Sequence, residues 1–267
     1  SIANIKKNFE FQDIKNKKYV ELKSQFLFLK NPINLGCGAG HNTGYEFAIK
    51  NDFEYIARID NDMEFESNFF NENLKLLDQN LSIQALSPKI LYYYNPKKIW
   101  WMGCKIGNSL KFQTHMRDYP YHLDDKPQYS GLVKTDAIAG CASIMRTSRL
   151  KKVGLSDIEF FYGPEDVEFS YRLKVKNDDN SLIVNLDSKI YHKVTQSFKE
   201  SLTCRKIYFE YKYRLLLIKK IGTFNDKFFG YTISIIKYLG YCFFFYNPTH
   251  RRKIRPVSSA ILDFFLF

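Results

Sequence analysis

The stretch YIARIDNDME, residues 55–64, decides how we interpret this sequence. An apolar run that ends at Ile59 leads directly into two aspartates, Asp60 and Asp62, separated by one asparagine. Like charges this close repel, and each is costly to remove from water unless it has a partner. A divalent cation is the simplest partner for both. The pattern therefore predicts a buried strand that ends at a metal site, the alternative being an ordinary charged turn.

Segments with strand and helix patterns alternate around this stretch. Strands are predicted at 24–30, 54–60 and 83–91, and helices at 41–51 and 66–80. This alternation is typical of an α/β fold with a mostly parallel sheet covered by helices. Ligands of such sheets bind beyond the carboxyl ends of the strands, which is where Asp60 and Asp62 are expected.

The second half of the chain adds further elements and one long polar segment. Residues 114–131 contain prolines and polar side chains, as is typical of a loop that covers a substrate. The other elements are predicted as a strand and turn at 98–107, a strand with a short helix at 135–154, a helix at 164–177, strands within 181–194 and a basic helix at 201–222. We expect a catalytic domain over 1–200 and a basic, aromatic helical extension over 201–267.

A glycine-rich run, NLGCGAGHNTG at residues 34–44, lies between a predicted strand and a predicted helix. Glycine permits close backbone approach, and the start of a helix offers free N–H groups to phosphate. The run matches neither a Walker A motif nor a G-x-G-x-x-G dinucleotide motif. We interpret it as a nucleotide contact, with a tight strand-to-helix turn as the alternative.

Two acids and one histidine complete the candidate site. Glu165 and Asp166 are adjacent at a predicted helix start, so they point about 100° apart and one of them is expected to face a cleft. That carboxylate can act as a general base, whereas the alternative is simple charging of a helix N-terminus. His192 can be the third ligand of a Mn²⁺-like ion, the alternative being a packed strand residue.

In this order and spacing the segments resemble a family 2 glycosyltransferase with the GT-A fold, most of all the rhamnosyltransferase-like branch. The matching stretches, from about residue 31 to 198, are NLGCGAGHNTGYEFAI, YIARIDNDMEF, AGCASIMRTSRLKKVG, FFYGPEDVEFSYRL and IYHKVTQSF. The resemblance implies a Rossmann-like, mostly parallel mixed sheet flanked by helices. A C-terminal helical extension would follow it.

The resemblance also implies a role for the charged residues. Asp60 and Asp62 would form the D-x-D motif, with Asp62 the direct metal ligand and Asp60 nearer the ribose and the metal shell. His192 would complete the site for Mn²⁺ or Mg²⁺. Asp166, with Glu165 beside it, would deprotonate the acceptor hydroxyl from one face, which implies inversion at the anomeric carbon.

The remaining matching residues would hold the donor. Asn34, Gly38 and Asn42 would line the nucleotide pocket, and Gly140 with Ala142 would form the floor of the donor–acceptor cleft. The implied reaction moves a sugar from a nucleotide-diphosphate donor to a glycan or lipid-linked acceptor in bacterial surface-polysaccharide assembly. Family members begin with a strand that ends in an acidic nucleotide-binding turn. That turn is missing here, so we expect the first βα unit to lie upstream of Ser1.

The charge distribution separates membrane contact from nucleic-acid binding. From Lys199 onward there are 13 Lys and Arg against 4 Asp and Glu, a net charge of +9, so the first 198 residues carry +3 of the total of +12. The basic region also holds the nearly apolar run at 228–246, which favours peripheral contact with a membrane surface over nucleic-acid binding. The alternatives for this run are a buried core helix and a true membrane span. Five scattered cysteines without a C-x-x-C pair and no signal-peptide pattern predict a cytoplasmic protein at the inner face of the cell membrane.

Two other functions account for parts of the pattern. A metal-dependent phosphohydrolase or nucleotidyltransferase also needs paired carboxylates, and it would cleave the donor without an acceptor. An inactive fragment that serves as a basic membrane-binding module would make the D-x-D motif incidental.

Overall fold

The computed structural model describes residues 11–13, 28–106, 123–175, 182–193, 204–243 and 248–266. The strands are β1 Phe11–Asp13, β2 Phe28–Lys30, β3 Tyr55–Ile59, β4 Met63–Phe65, β5 Ala85–Tyr92, β6 Asn95–Trp101, β7 Leu132–Lys134, β8 Ala142–Arg146 and β9 Leu182–His192. The helices are α1 Gly36–Lys50, α2 Phe69–Gln79, α3 Thr147–Val153, α4 Glu165–Val175, α5 Cys204–Ile221, α6 Phe224–Phe243 and α7 Pro248–Leu266. The prediction of an α/β fold is confirmed.

The central sheet is mixed and has the strand order β3-β8-β5-β9-β4, with β6 beside β5 and β7 beside β9. Strand β8 runs antiparallel to both β3 and β5, and β5 pairs in parallel with β9. The prediction of a mostly parallel sheet is therefore wrong for the described strands. Strands β3, β5 and β9 do share one direction, as the alternation with helices requires. The later strand β8, however, lies between β3 and β5, so these two are not neighbours.

Helix α1 begins earlier than the sequence predicted. It starts at Gly36, so the glycine-rich run forms the first turns of the helix and does not form a separate turn before it. A Cβ on Gly36 would lie 2.5 Å from the carbonyl oxygen of Phe161, and one on Gly38 would lie 2.6 Å from that of Asp157. These glycines are needed because the helix start packs directly on the backbone of 157–161.

The main core joins the sheet to the C-terminal helices. It contains Ile90 and Ile190 from β5 and β9, and also Leu217 and Ile218 from α5, all of them buried. Helix α5 reaches the segment before α4 through the Phe209 ring, which lies 5.6 Å from the Phe161 ring. Burying this apolar surface is what holds α5 on the sheet. The division at residue 200 stays a prediction.

The end of the predicted covering loop is attached to the sheet. Asp125 accepts hydrogen bonds from Lys89 at 2.6 Å and from Lys189 at 3.0 Å, and these lysines are paired on β5 and β9. Residues 114–122 of that loop lie outside the described residues, as do 24–27 of the first predicted strand. Along the described helices, no stretch is both long and apolar enough to cross a bilayer.

Candidate active site

Asp60 and Asp62 lie in a tight turn at the carboxyl end of β3, as the sequence predicted. The Asp60 carbonyl oxygen accepts a hydrogen bond from Met63 N–H at 3.3 Å, which closes the turn into β4. The Asp60 N–H donates to the Cys141 carbonyl at 2.9 Å, and Lys193 N–H donates to the Asp62 carbonyl at 3.0 Å. The turn is therefore attached to β8 and β9 on its two sides.

His192 is brought to this turn by the pairing of β4 with β9. It lies opposite Met63 in that ladder, which places its Nε2 at 3.4 Å from the Oδ2 of Asp62. The Trp100 ring meets the imidazole edge-on, with centroids 4.5 Å apart. The Nδ1 atom of His192 is buried and has no hydrogen-bond partner within the described part of the chain. Trp100 is a site neighbour that no sequence motif indicated.

The donor atoms at the turn are a carboxylate oxygen and an imidazole nitrogen. The described residues contain no group of three or more His, Cys, Asp or Glu side chains placed to hold a metal ion. A Mn²⁺ or Mg²⁺ ion that takes few protein ligands and leaves positions for phosphate oxygens suits the Asp62–His192 pair. A metal role for Asp60, Asp62 and His192 stays a prediction.

Asp166 lies in the first turn of α4 and contacts the loop before β8. Its Oδ2 accepts a hydrogen bond from Gly140 N–H at 3.0 Å, and its Oδ1 accepts one from Val167 N–H at 2.8 Å. A Cβ on Gly140 would lie 2.8 Å from Oδ2. Position 140 must therefore be glycine for the carboxylate to come this close. Ala142 is fully buried beyond it in β8, opposite Ile59 of β3.

Arg58 is a buried cation at the centre of the site, and no motif indicated it. Its Nη2 donates to the Ala139 carbonyl at 3.2 Å, and the N–H of that same peptide group, from Gly140, donates to Asp166. The guanidinium and the carboxylate thus bind opposite ends of one peptide dipole, which strengthens both hydrogen bonds. The only sequence signal was a charged residue inside an apolar strand, two positions before Asp60.

Three carboxyl groups of the site have pKa values that are raised by their burial. Burial, together with the adjacent Asp166, raises the pKa of Glu165 to about 7, although Arg58 opposes the rise. Burial also raises the pKa of Asp166, against the opposing effects of Arg58 and of its two backbone hydrogen bonds. The Asp60 side chain is exposed on one side, yet its carboxyl group is partly removed from water, and this raises its pKa as well. Removal from water outweighs the single cation at all three groups.

His41 faces Arg58 from α1. Its Nδ1 lies 3.4 Å from the Arg58 Nη1. Burial, and then the nearby guanidinium, lower the pKa of His41 to about 4. The imidazole is therefore neutral at physiological pH, so that it does not compete with Arg58 as a cation.

We expect Glu165→Gln to stabilise the protein at high pH and to change little at low pH. The folded pKa of about 7 lies above the ordinary 4.5, so between these values the folded protein keeps a proton that the unfolded chain has lost. Stability therefore falls as pH rises through that window, and a neutral amide removes the cost. The gain is expected to be about 2–3 kcal/mol at pH 8 and near zero at pH 4.

Denaturant unfolding of the two proteins at several pH values measures this difference. The exposed Glu46, substituted to Gln, is the matched control. A difference between Glu165→Gln and wild type that did not change with pH would contradict the buried, protonated state of Glu165.

The predicted nucleotide residues have structural contacts. Asn42 is buried and its amide makes two hydrogen bonds to the backbone of Ser156, donating to the carbonyl at 2.9 Å and accepting from the N–H at 2.8 Å. Asn34 Oδ1 accepts a hydrogen bond from Gly36 N–H at 2.9 Å. Gly38 packs on the segment that precedes α4. Nucleotide contacts by Asn34, Gly38 and Asn42 stay predictions.

Comparison with known proteins shows likeness to solved structures and none to a family model or curated sequence. The fold is similar to that in the crystal structure of GalNAc-T7 with UDP, GalNAc and Mn²⁺, with a TM-score of 0.49 and 15% sequence identity. The match covers 70% of this chain and 38% of that one. The likeness is one of overall fold, and assignment to family 2 or its rhamnosyltransferase-like branch stays a prediction.

Proposed function

We propose that this protein is a metal-dependent glycosyltransferase that uses a nucleotide-diphosphate sugar. One observation carries the proposal. The turn with Asp62 and His192 and the carboxylate of Asp166 are attached to the same short segment, because Asp60 N–H bonds to Cys141 and Asp166 bonds to Gly140. A candidate pair of metal ligands and a candidate base thus lie at one end of one sheet.

The chemistry assigned to these residues follows from their environments. A bound Mn²⁺ or Mg²⁺ ion would neutralise the charge that develops on the departing diphosphate. Asp62 and His192 would hold that ion, with Asp60 beside it. Asp166 would accept the proton of the acceptor hydroxyl, and its raised pKa improves a carboxylate for this task because it lies closer to the working pH.

Arg58 and Gly140 prepare Asp166 for that role. Both oxygens of the carboxylate accept backbone hydrogen bonds, so its orientation is set before any substrate arrives. Arg58 opposes the rise in its pKa, so that the base remains ionised over a wider pH range. A single base on one face of the donor sugar ring implies direct displacement with inversion at the anomeric carbon. Ala142 and Gly140 would form the floor beneath the reacting groups.

The finer assignments rest on the sequence resemblance. They are the family 2 rhamnosyltransferase-like branch, a glycan or lipid-linked acceptor and a role in surface-polysaccharide synthesis. The start of α1, with Asn34, Gly38 and Asn42, is proposed to face the nucleotide. The N–H groups of Gly36 and Cys37 already donate to Asn34 Oδ1 and to the Phe161 carbonyl, so this assignment rests on the resemblance alone.

We expect Mn²⁺-dependent binding of at least one nucleotide-diphosphate sugar, and Asp62→Ala should abolish it. Calorimetry on a small panel of UDP, GDP and dTDP sugars, with Mn²⁺ or with a chelator, measures the effect. Loss of a direct ligand should weaken donor binding by a factor of about 100 or more, because second-shell changes alone cost about 10–100. The control is Asp124→Ala, an exposed aspartate that pairs with Lys98 on β6.

Two results would reject this proposal. Donor binding that is unchanged by chelator and by Asp62→Ala would remove the metal site. Hydrolysis of the donor at full rate without any acceptor would instead identify a phosphohydrolase.

A further inference from the structure

Helix α6, Phe224–Phe243, has the opposite arrangement of side chains to an ordinary surface helix. The face that packs on the protein carries Asp226, Gly230 and Ser234, all of them buried. The face toward solvent carries large apolar side chains. A helix at the surface of a protein normally buries its apolar stripe and exposes its polar one.

The buried face is made of small and polar groups because α6 approaches α5 closely. A Cβ on Gly230 would lie 2.8 Å from the Cδ1 of Ile218. The Ser234 hydroxyl donates to the Gly230 carbonyl at 2.7 Å. Asp226 accepts hydrogen bonds from the N–H and hydroxyl of Thr223 at the start of the helix. The Oδ2 atom of Asp226 and the Ser234 hydroxyl are thus bonded locally, whereas Asp226 Oδ1 is buried without a hydrogen-bond partner among the described residues.

We call the exposed apolar face of α6 the aromatic stripe. Its members have exposed fractions between 38% and 83%, and they are Phe224, Phe228, Phe229, Ile235, Ile236, Leu239 and Phe243. At about 3.6 residues per turn they lie within an arc of about 140° along the whole helix. Asn225 and Thr232 are the polar residues inside this arc.

Helix α7 extends the stripe. Its exposed apolar side chains are Leu262, Phe265 and Leu266, and the Phe265 ring meets the Tyr231 ring of α6 with centroids 5.9 Å apart. A contiguous apolar surface of this kind on a folded protein marks a site of contact with an apolar partner.

Charge decides between a second copy of the chain and a lipid surface. Residues 199–267 carry a net charge of +9, and exposed Lys237 and Arg255 lie on the two helices that form the stripe. Two copies meeting through the stripe would bring two such basic regions together, which electrostatic repulsion opposes. A bilayer with anionic headgroups supplies both the opposite charge and an apolar interior.

We propose that the aromatic stripe docks this protein on anionic lipid bilayers, with α6 lying in the interfacial plane. The phenylalanines enter the boundary of the acyl chains, and Lys237 and Arg255, exposed on α6 and α7, supply cations for the headgroups. This docking does not depend on the proposed glycosyltransferase activity. If both are correct, it places the enzyme where a lipid-linked acceptor is found.

Vesicle flotation of the whole protein tests the proposal. Vesicles of phosphatidylcholine alone are compared with vesicles that also contain phosphatidylglycerol. The test variant is Phe228→Glu with Leu239→Glu. The control is Leu81→Glu with Ile158→Glu, two apolar residues that are 70% and 68% exposed elsewhere on the surface. Both variants add the same charge at exposed positions, so they separate loss of the stripe from a change in net charge.

We expect wild type and control to float with the anionic vesicles. The stripe variant is expected to bind these vesicles at least about tenfold more weakly. Circular dichroism and light scattering establish that each variant is folded and report its size. The proposal is overturned if wild type does not float, or if the two variants lose binding equally, which would mean electrostatic adsorption alone. It is also overturned if wild type is a dimer that the stripe variant dissociates, because a second copy would then cover the stripe.

Discussion

Replacement of Asp166 by Asn is expected to lower the rate of sugar transfer by a factor of about 10²–10⁴. The change removes the carboxylate that accepts the proton and preserves the shape of the side chain. The Asn oxygen can still accept one of the two backbone hydrogen bonds from Gly140 and Val167. The loss should therefore appear in kcat, since donor binding is proposed to depend on the turn that holds Asp62 and on His192.

The rate of sugar transfer is measured with an acceptor that wild type uses, and donor binding is measured by calorimetry. Together the two measurements separate loss of the chemical step from loss of donor binding. Asp187→Asn is the matched control, because Asp187 is exposed and its Oδ1, which accepts from Gly131 N–H, can be replaced by an amide oxygen. If Asp166→Asn transferred sugar at the wild-type rate, Asp166 would not be the base. The next residue to test would then be Glu165, whose Oε2 is buried without a hydrogen-bond partner among the described residues.

Substitution of Arg58 by Met is expected to move the acidic limb of the pH–rate profile for sugar transfer to higher pH. Arg58 is the main cation that opposes the raised pKa values of Asp166 and Glu165. Without it both pKa values rise further, so Asp166 stays protonated, and inactive as a base, up to a higher pH. An upward displacement of about one pH unit or more is expected, because an opposite charge nearby changes a carboxyl pKa by about 1–3 units.

The same substitution should destabilise the protein most at high pH. Without the buried cation, ionising these carboxyl groups in the folded protein becomes more costly, and this cost disappears where the acids are protonated. Unfolding experiments at pH 5 and pH 8, with carboxyl-carbon NMR of Asp166, measure stability and pKa separately from activity. Arg58→Lys keeps the charge, so we expect the pKa values to stay near those of wild type. It loses the planar fork that reaches both Ala139 and His41, so precise positioning should still suffer.

This role of Arg58, opposing the raised pKa values of Asp166 and Glu165, would be contradicted by one result. That result is an Arg58→Met variant whose pH–rate profile and pH dependence of stability equal those of wild type. Arg58 would then be a structural donor to the Ala139 carbonyl. The result would leave the roles of Asp62 and Asp166 untouched, because those are tested by donor binding and by transfer.

Local patterns predicted the individual elements well. Apolar spacing located β3, α2, β5, β8, α3, α4 and α5 to within a few residues. It placed Asp60 and Asp62 after a strand end and Gly154 at the end of α3, where its φ of 90° favours glycine. These features depend on neighbours within a turn or a strand, so the local sequence is enough to indicate them.

Contacts between distant segments could not be predicted in the same way. Nothing local indicates that β8 lies between β3 and β5, because the residues it pairs with in those strands are more than 50 positions earlier in the chain. The amide of Asn42 is bonded to Ser156, which is 114 positions away, and no local pattern indicated that contact. The glycine run is interpreted from sequence as a nucleotide contact, with a tight turn as the alternative. Its letters do not indicate that the backbone of 157–161 closely approaches Gly36 and Gly38.

What the sequence by itself determined is the order of strands and helices and the acids that follow β3, since apolar period and charge are properties of adjacent residues. Only the tertiary structure decided that His192 reaches Asp62, that Arg58 and Asp166 share one peptide group, and that α6 exposes its phenylalanines. Each of these depends on strand register or helix packing. Both are chosen by the free energy of burying the whole core, to which no single segment contributes enough to reveal the outcome.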